Sequence, residues 1–219
     1  MTDKKYRVKE PNSGNKKVNG RKFKLLPQDD YNLIVFRPYI TKKPELIEEI
    51  LSIFTGINFT IFRKKFIERD KHFWYDYFYP SDEKWLENIG FRVLKDNKEA
   101  GINTKDIIGT NDPVKIGLAV KKWLCRDMDS RENGPSLSVV VVGHNAATRV
   151  KEMFGPPIPV KAPEGTIRNK YGGNDSNPLS FSQQRSPYNV AHCSNRDEER
   201  NGICAIKYET QLLYPELYF

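Results

Sequence analysis

Apolar and polar positions change their period several times along this chain, and each change marks an element. Asn32–Phe36 ("NLIVF") is an apolar run stopped by Arg37-Pro38, which predicts a short buried strand. After Thr41, Leu46, Ile47, Ile50, Leu51 and Phe54 recur at helical spacing, with Gly56 as the stop. Ile57, Phe59 and Ile61 then alternate with Asn58 and Thr60, the pattern of a second strand. The aromatic-dense stretch "DKHFWYDYFY" predicts a short helix. Residues 81–133 read as a helical excursion, with Ser81-Asp82 and Thr110 or Asn111 as caps and a stripe through Ile116, Ala119, Trp123 and Leu124. Past the turn "SRENGPS", "SLSVVVVGHN" reads as a fully buried central strand. "NAATRVKEMFG" is a short helix stopped by Gly155. Residues 155–187 form a long stretch rich in Pro, Gly, Asn and Ser, of the kind that is usually functional inside a compact domain. "YNVAHCSN" supplies a last strand, and a partly helical segment closes the chain.

The order β-α-β-(α)-β-α-β predicts an α+β fold: a ferredoxin-like βαββαβ antiparallel sheet with helices on one face, plus a helical insertion. Charge adds a second region. Of a net charge of +8, residues 1–30 contribute nine Lys/Arg against four acids, or +5, leaving +3 for the other 189 residues. A tail of that composition is expected to be disordered, either solvated or touching nucleic acid or another polyanion. The expected division is therefore 1–30, a basic flexible tail, and 31–219, one folded domain with its insertion at about 81–133. No run of about 18 apolar residues predicts a membrane span, and the start lacks the apolar core of a secretory signal. Three scattered cysteines (Cys125, Cys193, Cys204) fit a reducing cytoplasm and give no reason to expect zinc.

Of the three histidines, His72 and His144 read as structural. His192 stands at the end of a strand, three residues past Asn189. In a regular strand these two would face opposite sides, so sharing a site requires the chain to leave strand geometry between them.

"GHNAATRVKEMFGPPIPVKAPEGTIRNKY" (143–171) resembles the third strand, helix and long loop of nucleoside diphosphate kinases, and "NVAHCS" resembles their N-x-x-H-G-S segment. "LIVFRPYI" sits where that family has a strand ending in a lysine-proline pair, and the helical excursion resembles the insertion of a long-chain branch. The resemblance spans roughly residues 31–219. It implies a nucleoside diphosphate kinase that passes the γ-phosphate of a nucleoside triphosphate to a diphosphate through a phosphohistidine, by a ping-pong route. His192 would carry the phosphoryl group, since a neutral imidazole is a competent nucleophile near pH 7. Arg37, Tyr79, Lys151, Arg168 and Asn189 would bind nucleotide or phosphate, Ser194 would support the site, and Mg2+ would be held through the phosphates rather than by protein ligands. A cytoplasmic homo-oligomer, hexamer or tetramer, is implied as well.

The chain departs from the family's pattern at several positions. Arg37 replaces a lysine, Lys151 an arginine, Pro157 a phosphate-binding threonine and Cys193 a glycine. The glutamate that orients the histidine should lie about eleven residues past His192, where Ile203 stands; Ala205 is the alternative, and Glu198 and Glu199 are the nearby substitutes. These departures raise an alternative: a weakened or inactive family member that acts as a nucleotide-binding or scaffold protein.

Overall fold

The computed structural model describes residues 16–18, 21–23 and 30–217. Strands β1 (Lys16–Val18) and β2 (Arg21–Phe23) pair antiparallel, Lys16 opposite Phe23. The rest of the expected tail, up to residue 29, lies outside the described residues.

The domain is built on four strands: β3 (Tyr31–Phe36), β4 (Thr60–Ile67), β5 (Ser136–Val142) and β6 (Ala191–Cys193). They lie in the order β4-β5-β3-β6, antiparallel throughout. β4 is an edge strand, bulged between Ile61 and Arg63. The central strands are buried along almost their whole length because their alternate residues feed two different cores. Ile34, Phe36, Leu137, Val139 and Val141 face one core, and Leu33, Val35 and Val140 face the other.

The first core lies under α2 (Pro44–Gly56), which follows the single turn α1 (Pro38–Thr41), and under a second helix, Ala146–Phe154. The second face is covered too, which corrects the expectation of helices on one face only. A short helix α3 (Lys71–Phe73) runs into a π-helical turn, Trp74–Phe78, and Trp74, Phe78 and Tyr79 pack there beside Leu124, Met128, Ile206 and Leu213. The run Val139–Val142 of β5 requires this: valines on both faces of a strand need cover on both.

The excursion folds as α4 (Glu83–Glu99), α5 (Thr104–Ile108), α6 (Pro113–Asp127) and α7 (Ser130–Asn133). Asp82, Asn103, Asp112 and Asp129 cap them through side-chain acceptors. α4 and α6 approach so closely that a Cβ added at Gly90 would collide with the Pro113 backbone, and one at Gly117 with that of Leu86. After α8 (Ala146–Phe154), the segment expected to be irregular contains a 3-10 turn (Pro159–Lys161), α9 (Ile167–Tyr171) and α10 (Asn177–Ser182). Phe181 of α10 joins Val93 and Ile116 in a third core, so the 172–187 stretch is docked on the helical excursion. Asp96 of α4 pairs with Lys161 and accepts from Asn177 (2.8 Å), and Asp127 of α6 accepts from the Ser186 amide (2.8 Å) and hydroxyl (2.7 Å). The chain ends in a small hairpin, β7 (Glu199–Arg200) with β8 (Ile203–Cys204), and α11 (Ala205–Leu213). Among the described residues no helix is long and apolar enough to cross a membrane.

Candidate active site

His192 lies directly opposite Val35 in the β3–β6 pairing, so its ring points to the second core. The π-helical turn widens the backbone just before Tyr79, whose amide bonds back to the Trp74 carbonyl (2.9 Å). Phe78 and Tyr79 then meet the imidazole edge-on, with ring centroids 5.2 and 5.7 Å away. Tyr79 is buried, its hydroxyl has no hydrogen-bond partner among the described residues, and burial pushes its pKa up to about 12.

The imidazole Nε2 lies 2.8 Å from Oε2 of Glu209, and the same oxygen accepts from the Ser194 hydroxyl. Glu209 is 1% exposed, on the face of α11 that also buries Ala205, Ile206, Thr210 and Leu213. A carboxylate at Nε2 selects the tautomer with the proton on Nε2, which leaves the lone pair on Nδ1. The carboxylate is therefore supplied from seventeen residues past His192 (209 − 192), and the position eleven residues on, Ile203, lies in the intervening hairpin. Its signal in the sequence is an acid on the buried stripe of an amphipathic helix.

The chain does leave strand geometry before His192. Val190 has φ +70°, and the Ala191 amide bonds to the Asn189 carbonyl across it (2.8 Å). A β-branched residue held at positive φ costs roughly 1–3 kcal/mol and persists only when its surroundings over-determine it. Here both sides of the turn are clamped. The Val190 amide donates to the Tyr39 hydroxyl (2.7 Å), and its carbonyl accepts from the Arg37 amide (3.0 Å). Arg168 is buried beneath, donating Nε to the Asn189 carbonyl (3.1 Å), Nη2 to that of Ala191 (2.8 Å) and Nη1 to that of Gly155 (2.5 Å). Burial pulls its pKa below the ordinary arginine value.

Arg37 sits at the start of α1, with Nε donating to Oδ1 of Asn189 (3.2 Å). Its Nη1 is buried and has no hydrogen-bond partner among the described residues. Lys151, on α8, donates to Oδ1 of Asn195 (2.6 Å), and Pro157 is exposed in the loop. Arg37, Asn189 and Arg168 thus form one connected group around the turn, and His192, Tyr79, Ser194 and Glu209 a second that continues it.

A family model for nucleoside diphosphate kinase matches residues 119–212, a span that contains the loop, the turn, His192 and Glu209. A curated nucleoside diphosphate kinase from Pyrobaculum aerophilum is 34% identical over 167 residues, covering 76% of this chain and 88% of that protein. The chain belongs to the nucleoside diphosphate kinase family. It is accordingly a phosphotransferase that moves the terminal phosphate of a nucleoside triphosphate to a nucleoside diphosphate. The crystal structure of an NDP kinase from P. aerophilum superposes with a TM-score of 0.71 at 31% identity, covering 84% of this chain and 94% of that one. A Borrelia burgdorferi nucleoside-diphosphate kinase, a transition state mimic with bound vanadate and ADP, shares the fold at 21% identity and a TM-score of 0.50, over 75% of this chain and 77% of that one.

Proposed function

We propose that His192 is the phosphoryl carrier and that Nδ1 is the attacking atom. The observation that carries this is the pairing of Nε2 with the buried Glu209, which fixes the tautomer and leaves Nδ1 as the nucleophile. In the first half-reaction an Nδ1–P bond forms as the bond from Pγ to the bridging oxygen breaks, and the departing diphosphate keeps the electron pair. The imidazole gains positive character, and Glu209 stabilises it through the proton that stays on Nε2. In the second half-reaction a terminal oxygen of another diphosphate takes the phosphoryl group and restores the free imidazole.

Around it, the buried Arg37 Nη1 and Tyr79 hydroxyl supply donors free for phosphate oxygens, with the Asn189 amide beside Arg37 and Lys151, now on Asn195, as a further cation for them. Arg168 acts through the turn it clamps. These groups are cationic or neutral donors, and no cluster of three His, Cys, Asp or Glu able to hold a metal occurs among the described residues. Such a donor set fits Mg2+ arriving on the phosphates, where the ion would neutralise charge on their oxygens. An inactive member is the weaker reading, because Arg37 keeps a cation at the lysine position and Glu209 fills the carboxylate role that Ile203 cannot.

The same reading takes residues 31–219 as one catalytic domain, with the basic residues 1–30 as an arm for polyanions. It also includes homo-oligomeric assembly as a hexamer or tetramer and action in the cytoplasm. Family membership and the exposed edge strand β4, with Phe66 62% exposed, support assembly, and the free Cys125, Cys193 and Cys204 support a reducing compartment. Incubation with γ-labelled ATP and Mg2+ tests the core of the proposal. Acid-labile label is expected on the protein, chased onto added GDP and absent in His192→Ala; label retained in that variant would refute it.

A further inference from the structure

Between β6 and α11 the chain inserts a turn and the β7–β8 hairpin, and this hairpin carries Arg200 back to the nucleophile. Arg200 Nη2 lies 2.9 Å from Oε2 of Glu198 and 3.9 Å from Oε1 of Glu209, the carboxylate oxygen that His192 and Ser194 do not use. Its side chain is 13% exposed, and its Nε is buried with no hydrogen-bond partner among the described residues. Glu198 in turn accepts from Asn195 Nδ2 (2.9 Å), whose Oδ1 takes Lys151 (2.6 Å). A continuous polar chain therefore runs from Lys151 through Asn195, Glu198, Arg200 and Glu209 to His192.

We propose that Arg200 is a positioning residue for the His192–Glu209 pair, holding the second oxygen of the carboxylate and setting the pH at which His192 becomes nucleophilic. The inference rests on His192 being the carrier. The productive state has a neutral imidazole donating to an ionised Glu209. One extra proton on the pair, on either partner, gives an unproductive state, so the acid limb reports the pair as a unit. A cation at 3.9 Å opposes that proton, and its removal therefore favours the unproductive state.

Replacing Arg200 also takes from Glu198 its ion-pair partner, and the carboxylate left beside the pair favours the extra proton in the same direction. Tyr79 and Cys193 are pushed up to about 12 by burial, and Tyr208 is raised by burial as well, so all three stay neutral. Burial works against the charge of Glu198, yet hydrogen bonds from Asn195 and Arg200 hold its carboxyl below the ordinary value. Arg37 acts on Tyr79, Arg168 and Lys151 act on Cys193, and Lys121, its pKa lowered by burial, acts on Arg200 from α6.

The test is the pH dependence of phosphohistidine formation in single turnovers with labelled ATP and Mg2+, on the full chain and on Arg200→Gln, Arg200→Leu and Arg200→Lys. The acid limb is expected to move to higher pH by about one unit in the two neutral variants, with the KM for ATP unchanged, and to return toward its original position in Arg200→Lys. An unmoved limb in a folded neutral variant overturns the proposal, however far the rate falls. So does failure of both neutral variants to fold while Arg200→Lys folds, which would assign Arg200 to the hairpin's structure. If the unsubstituted protein takes no label on His192, it is the carrier assignment that fails.

Discussion

Replacing Glu209 by glutamine removes a charge and keeps the shape, so its consequence can be worked out from the geometry. One amide oxygen must choose between two positions. At Oε2 wait two donors, His192 Nε2 at 2.8 Å and the Ser194 hydroxyl; at Oε1 stands Arg200, 3.9 Å away. The two close donors win, so the histidine keeps its tautomer and what is lost is charge assistance. A hydrogen bond to a charged group contributes about 1.5–3 kcal/mol against about 1 for a neutral one. Two such bonds weaken, and the imidazole needs the carboxylate most once it bears phosphoryl, so the transition state loses about 2–3 kcal/mol. That is roughly a 30- to 150-fold slower single-turnover transfer from ATP. Glu209 touches no phosphate in this reading, so the KM for ATP is expected to hold. Rapid-quench measurement of phosphohistidine, with a thermal melt as a check on folding, decides it. A loss under about threefold, or one confined to KM, would refute the role given to the carboxylate.

Arg168→Met strips three hydrogen bonds from the turn that holds Val190, and is expected to lower stability by about 3–5 kcal/mol, read from the urea midpoint. Gly90→Ala or Gly117→Ala drives a methyl group into the facing helix backbone and should cost about 1–3 kcal/mol, with faster amide exchange across 83–127. Asp129 accepts from Arg131 and from the amides of Arg131 and Lys71, which hold its carboxyl well below the usual carboxylate range. A depressed folded pKa contributes stability above the unfolded value that is lost as pH falls, so Asp129→Asn is expected to flatten the acid side of the stability curve while lowering stability at neutral pH. Urea melts across that range measure it.

The strands and most helices are legible because each buries a face with a clear period, and His192 is legible because it follows the "GTIR" loop. The second cover of the sheet is written in β5 itself, whose valines leave no side for water, but the residues that supply it come from α6, α11 and an aromatic turn distant in sequence. Glu209 escapes a reading by spacing because the β7–β8 hairpin separates it from His192 along the chain while the fold brings the two side chains together. Arg168 stands out as a cation, yet what its guanidinium does depends on which carbonyls surround it, and that is settled by a backbone turn with Val190 at positive φ, a conformation valine itself disfavours.

The bonds from Asp96 and Asp127 to the 172–187 stretch have a bearing on how such a chain could have arisen. Deleting that stretch alone would take from Asp96 its Asn177 partner, from Asp127 its Ser186 donors and from Val93 and Ile116 the ring of Phe181. Deleting the helical excursion alone would strand Asn177 and Phe181 in the same way. Each half is a poor passenger without the other, so a shortened relative that folds well is expected to lack both, and ancestral reconstructions should find the two segments entering a lineage together.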